Sequence, residues 1–181
     1  MQGCYYTICS LPHLSFSATP PPLSGINFLA FCEIELSSKN MGLISSITLL
    51  PPVVVPNTLP SVIKRWYSAE RQLRLELARR RAVRLGRQDF ISQTAASPFI
   101  KKTARQAMAL DSPWDADKIL DLARWQVLNE LTAEDDFGLP YLAVYFLKLQ
   151  LLERCASFNQ QAGQRLRQAI IKQINQLEKT L

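Results

Sequence analysis

The chain has 181 residues, 48% of them hydrophobic and 20% charged, which is too apolar for wholesale disorder and long enough to bury a core without metal or disulfide staples. The net charge of +6 is unevenly spread: residues 64–106 hold twelve Lys or Arg against three acids, and residues 107–136 hold eight acids against two bases. The high pI therefore describes no single surface and is not by itself a nucleic-acid signal.

Residues 4–16 read as an extended arm or edge strand, because Tyr5, Tyr6, Thr7 and Ile8 favour strand and Pro12 stops a helix. After Pro20, Pro21 and Pro22, Ser24 is an N-cap signal for a first helix whose apolar residues are Phe28, Leu29, Phe31, Cys32 and Leu36. A shorter helical piece is expected near Asn40 to Ile47. Leu49 to Pro60 contains four prolines and three consecutive valines, so it reads as a connector and as the main internal boundary. This divides the chain into residues 1–60, with the arm, first helix and connector, and residues 61–181, a helical bundle.

Ser61 is expected to cap a long helix that runs to Leu85 and closes at Gly86, with Val62, Trp66, Ala69, Leu73 and Leu77 on its packed face and arginines on the other. A weaker helix is expected over Lys101–Leu110. Ser112 followed by Pro113 and Asp115 is a strong start signal for a helix to about Leu131, packed through Ile119, Leu122 and Trp125 and widened by Leu120, Val127 and Leu131. Residues 132–138 form an acidic turn. Leu139–Ala156 is apolar at almost every position, so this helix should be central and covered on more than one side. A last helix is expected over Gln160–Lys179, with Leu166, Ile170, Ile174, Leu177 and Leu181 on one stripe. The reading is an all-α fold, an irregular helical bundle with a short extended N-terminal arm. Trp66, Trp125, Tyr145 and Leu149 are its expected core residues.

The chemistry a catalyst needs is sparse. There is no Gly-rich phosphate loop, no GxSxG and no HExxH. The only histidine, His13, lies in the apolar arm and reads as structural. Cys4, Cys9, Cys32 and Cys155 show no zinc-ligand spacing, and nothing like a secretory signal precedes them, so free thiols in a reducing compartment are expected. No cofactor, metal ion or small-molecule substrate is expected. Residues 1–32 and 40–63 carry no charge, but prolines interrupt both, whereas a spanning helix needs roughly 20 nearly continuous apolar residues. Asp111 and Asp115 favour a helix start, and Asp117 and Asp121 read as an i, i+4 pair on an exposed face.

The richest feature is the helix from Ser61, which carries Lys64, Arg65, Arg71, Arg74, Arg79, Arg80, Arg81 and Arg84 with Glu70 and Glu76 among them. It reads in three ways: a solvated face with internal pairs, Glu70 reaching Arg74 and Glu76 reaching Arg79 or Arg80; a surface that docks on an acidic protein; or a nucleic-acid-binding face. Three consecutive arginines point around three sides of a helix and make no single groove-reading edge, which weighs against the last.

Tyr5, Tyr6, Ser10, Leu11, Pro12, Leu14 and Phe16, then Pro21, Pro22, Ser24, Phe28, Leu29 and Cys32, resemble the opening of a bacterial family of unknown function whose genes accompany those of V-type (A/V-type) ATPases. The resemblance continues through Trp66, Tyr67, Glu70, Leu73, Arg74, Leu77, Arg81, Ala82 and Leu85, through Asp117, Leu120, Arg124, Trp125 and Leu128, and through Phe137, Tyr141, Leu142, Leu147, Lys148, Leu149, Leu152, Glu153, Arg154 and Gly163.

The resemblance implies a non-catalytic ATPase-associated protein in the cytoplasm, peripheral at the inner face of the plasma membrane and reaching the membrane only through the ATPase. It implies a stalk, coupling or accessory role, by analogy with the helical subunit, called C or d, between rotor ring and central shaft. The chain is shorter than such a subunit, so an assembly factor stands beside that role. V-type ATPase subunits are the expected partners, with Arg71, Arg74, Arg79 and Arg81 as the expected contacts. The rival is a small basic nucleic-acid-binding helical protein.

Overall fold

The computed structural model describes residues 4–18, 20–87, 96–132, 138–158 and 170–171. Among these residues there are seven helices and no strand, so the fold is all-α. In chain order they are α1 (Tyr5–Ser10), α2 (Gly25–Glu35), α3 (Ser38–Ser45), α4 (Ser61–Arg84), α5 (Pro98–Ala109), α6 (Pro113–Thr132) and α7 (Leu139–Ser157).

The expected strand is a correction: residues 5–10 form α1, and only the following stretch to Phe16 is free of helix. A tertiary contact overrides the local strand preference. The Thr7 N–H and hydroxyl donate to Glu35 Oε2 of α2 at 3.2 and 2.6 Å, and Thr7 and Ile8 form the buried side of α1. Pro12 follows the helix, and its carbonyl accepts the Tyr145 hydroxyl at 2.8 Å. His13, expected to be structural, is exposed, because Leu14 rather than His13 turns into the core.

Ser24 caps α2, accepting the Asn27 N–H at 3.2 Å. The next helical residue sits close against α7. Gly25 donates its N–H to Glu153 Oε1 of α7 at 2.7 Å, and a Cβ there would lie 3.2 Å from Glu153 Oε2. Phe28 and Cys32 carry the packed face of α2, and the Phe28 ring stacks on Tyr145 and Phe146 at centroid distances of 5.4 and 5.3 Å. Phe31, expected beside them, is 47% exposed, since its position on the helix turns away from α7. Ser37 caps α3, which begins two residues before the expected Asn40.

The Pro-rich segment holds no helix. Polar side chains tie it down on both sides: Tyr67 Oη accepts from Thr48 N at 3.3 Å, and Gln150 of α7 bonds the backbone of Ile47 and Leu49. Phe28, Cys32, Ile44 and Ile47 from before the connector join Ile63, Trp66, Leu142 and Leu149 from after it in one apolar cluster.

Pro60, rather than Ser61, occupies the N-cap position of α4, with no side-chain cap, because its carbonyl takes the first N–H groups at 3.1 and 3.2 Å. The other end closes as expected. Gly86 has φ of 69°, Arg87 N donates to Ala82 O at 2.9 Å and Gly86 N to Val83 O at 3.1 Å, the paired bonds of a Schellman closure. Helix α5 starts one turn before the expected Lys101, where Ser97 caps and Pro98 leads, the same signal that Ser112 and Pro113 give α6.

Helix α7 is the central element, with Leu142 to Leu147, Leu149, Leu151 and Leu152 buried. Trp66, Trp125, Tyr145 and Leu149 are all in the core, as expected. A second, smaller cluster of Leu73, Leu77, Ile100, Ala104, Ala107 and Leu120 joins the far half of α4 to α5 and α6. The expected α6 stripe is corrected: Leu122 is 44% exposed and Ile119 only half-buried, while Leu120, Ala123, Leu128 and Leu131 pack. Helix α6 packs against α4, α5 and α7, so its buried face is wider than the simple i, i+3 reading and is centred elsewhere. The acidic turn lies largely, and the last expected helix almost wholly, outside the described residues. Ile170 and Ile171 of the latter are helical and half-exposed.

Candidate functional site

The polar residues of α4 sort into a buried ionic chain and an exposed groove. In the chain, Glu70 is 3% exposed and takes Arg74 Nε at 2.8 Å on one side and the side of the Arg124 guanidinium at 3.0 Å on the other. Arg124 continues to Asp121 Oδ1 at 2.8 Å, and Arg154 of α7 grips both Asp121 oxygens before reaching Asp117 at 3.4 Å. Asp121 is therefore no exposed solubilising acid. It is 4% exposed and joins α6 to α7, a correction caused by the packing of Arg154 against it. The Cys155 thiol donates to Asp121 Oδ2 at 3.4 Å, and burial followed by the Asp121 charge pushes it up to about 11.

The second group converges where α4 ends against α5. Glu76 is fully buried and holds Arg80 Nε at 2.9 Å and Arg79 Nε at 3.3 Å. Arg80 also donates from Nη2 to the Lys101 carbonyl of α5 at 3.3 Å. Arg79, Arg80, Arg84 and Arg105 then line an open groove of about 370 Å³ with an apolar lining of Val83, Met108 and Ala109. Four guanidinium groups line the groove and Glu76 is paired with two of them, so the groove is positive and presents apolar surface between its charges.

The four expected contact residues do not share this site. Arg79 lines the groove. Arg71 bends back to the Pro-rich segment, donating to the Pro52 carbonyl and to the Val53 carbonyl at 3.1 Å. Arg74 is committed to Glu70, and Arg81 stands exposed, seven residues on along the same helix face as Arg74. Sequence reasoning missed Arg105, which reaches the groove only because α5 packs along α4. Arg80 and Arg84 were visible as helix cations, and their spacing of four from one another was the available signal.

A further cleft of about 450 Å³ lies among Phe16, Trp114, Leu122 and Phe158. Its acids Asp117 and Asp121 are engaged by Arg154, and Lys118 lies over the Trp114 ring at 5.0 Å, so it presents no convergent free donors. All four cysteines are free thiols, with Cys9 exposed. Among the described residues no group of His, Cys, Asp and Glu is placed to hold a metal ion, and no helix is long and apolar enough to cross a membrane.

No curated protein and no solved structure matches the chain. Residues 106–177, which run from the end of α5 through α6 and α7, are similar to an uncharacterised domain family described as "Protein of unknown function (DUF2764)".

Proposed function

We propose that this protein is a non-catalytic accessory or coupling component of a V-type ATPase that acts on the cytoplasmic side and docks on an acidic surface of another subunit. The observation that carries the docking part is the α4–α5 groove, where Arg79, Arg80, Arg84 and Arg105 surround Val83, Met108 and Ala109. Glu76 fixes the inner edges of two of these arginines, so less side-chain entropy is lost when an acidic partner arrives. The ATPase as the source of that partner rests on the resemblance of the chain to the family encoded beside its subunits.

The groove also suits the runner-up, a nucleic-acid backbone, because phosphate oxygens answer to the same guanidinium groups. The test is affinity purification of the tagged chain from native membranes and cytosol, with Arg84→Glu/Arg105→Glu as the comparison. The proposal expects V-type ATPase subunits in constant ratio with the native chain and their loss from the variant. Recovery of nucleic acid with a steep salt dependence, or of no ATPase subunit at all, overturns it.

A further inference from the structure

The Pro-rich connector carries exposed apolar side chains at an apex. Val53 is 97% exposed and Val54 79%, with Leu50 at 57% just before them in the chain. The backbone beneath these side chains is held. Arg71 of α4 donates to the Pro52 and Val53 carbonyls, the Thr48 hydroxyl to the Leu50 carbonyl at 2.8 Å, and Lys64 Nζ to the Asn57 carbonyl at 2.9 Å. Pro51 and Pro52 carry no N–H at all. The apex therefore pairs an apolar tip with a backbone that leaves few polar groups to be solvated. Exposed apolar surface rimmed by polar residues marks a contact site.

We propose that this apex is a membrane-contact loop, which sets Val53 and Val54 among the upper acyl chains of an anionic bilayer and holds Lys64 and Arg71 against its headgroups. Three observations select lipid as the occupant. The first is the backbone: an apolar medium offers carbonyls no water, and those of Leu50, Pro52 and Val53 already have donors from the protein itself. The second is charge. The cleft of about 320 Å³ between the connector and α4 is lined by Lys64 and Arg71 and by no acid. Over residues 36–87 the only acids are Glu70 and Glu76, both buried and both held by arginines, whereas Lys39, Lys64 and Arg71 are exposed. Glu130, an exposed acid of α6, lines a different groove with Arg65. Anionic headgroups complement such a surface. The third is size. Two valines and a leucine at an apex bury far less than the roughly 1,200 Å² of a stable protein interface, whereas a bilayer accepts a small convex tip when flanking cations add a second attraction.

The apex and the arginine groove share no lining residue: the apex lies along α4 from Lys64 to Leu75, and the groove begins at Arg79. The loop gives the chain a bilayer contact of its own, independent of any ATPase subunit, so failure of either proposal leaves the other standing. Few apolar side chains and two cations support reversible rather than permanent attachment. The groove arginines would also draw the chain to an anionic surface, but through headgroups alone. Insertion of the valines is what separates the two modes.

Co-sedimentation of the full-length chain with vesicles of phosphatidylcholine alone, and of phosphatidylcholine with about 30% phosphatidylglycerol, tests the loop. The expected result is binding to the anionic vesicles and little to the neutral ones, with Val53→Ser/Val54→Ser lowering the partition coefficient about tenfold. That variant changes no charge, so the loss reads insertion alone. Both valines are exposed, so its melting temperature should match that of the native chain. Arg84→Glu/Arg105→Glu, which alters only the groove, should keep the same dependence on the two valines. As a second readout, Cys9→Ser/Cys155→Ser/Val53→Cys labelled with nitrobenzoxadiazole should brighten and shift to the blue on anionic vesicles. No binding to anionic vesicles, binding indifferent to Val53→Ser/Val54→Ser, or a label that keeps its aqueous spectrum on the bound protein overturns the proposal. A protein as the occupant of the apex would show itself as the first of these, and adsorption through the groove as the second.

Discussion

Arg124 of α6 lays the side of its guanidinium along the carboxylate of Glu70 of α4, with Nε 3.0 Å from Oε2 and Nη2 3.0 Å from Oε1. Burial works against the charge on Arg124, but the hydrogen bonds and charges of Glu70 and Asp121 outweigh it and raise its pKa. Arg124 therefore keeps its charge, and its two hydrogen bonds to Glu70 fix the register of α6 on α4. Removing Arg124 would leave buried Glu70 with Arg74 alone and would take one of the two arginine partners from buried Asp121. Arg124→Ala should cost about 3–5 kcal/mol in urea unfolding, whereas Glu70→Leu/Arg124→Met should recover most of that loss. A double variant as unstable as the single one would show that the pair contributes more than mutual neutralisation.

The groove arginines divide into anchored and free. Arg84→Glu/Arg105→Glu should shift stability by no more than about 0.5 kcal/mol, since among the described residues neither side chain is paired with a buried acid. Arg79→Ala/Arg80→Ala should cost about 3 kcal/mol or more, because fully buried Glu76 loses both of those cations. Thermal melts of the two double variants, measured side by side, check this division.

Burial, followed by the nearby Cys4 and Glu35, pushes the Cys32 thiol from its ordinary 9.0 up to about 12. Between those values the unfolded chain has lost the Cys32 proton and the folded chain keeps it, so the stability from this group is present below pH 9 and is lost as pH rises toward 12. Cys32→Ala should flatten the decline of the urea midpoint above pH 9 while leaving its slope below that pH unaltered. An unchanged alkaline decline would assign it to other groups.

Phe28 stacks on two aromatic rings of α7 and is fully buried where α2 meets the bundle. Phe28→Ala should cost about 3–5 kcal/mol through lost burial and the cavity left behind. Ile26→Ala, on the bare side of the same helix, should change the melt of the dilute protein little.

Where a helix begins was often legible because the signal is local. Ser24 and Ser112, read as caps from the sequence, each accept an N–H at a helix start, and Gly86 closes α4 in the one backbone region where a Cβ would be strained. Ser37 and Ser97 cap in the same way, ahead of the later starts that the sequence reading places at Asn40 and Lys101. The expectation failed at α1, where Thr7 and Glu35 meet across 28 residues, a contact no local window contains.

By itself the sequence determined the all-α class, the central place of α7 and the core positions of Trp66 and Trp125, because hydrophobic periodicity and caps act over a few residues. Only the tertiary structure decided which charges are structural and which are free. Asp121 reads as a surface acid until Arg154, 33 residues away, is packed against it, and Arg105 reads as an isolated cation until α5 lies along α4. The worth of a charge depends on its distance to other charges and on the water left around it, and both are properties of the assembled bundle.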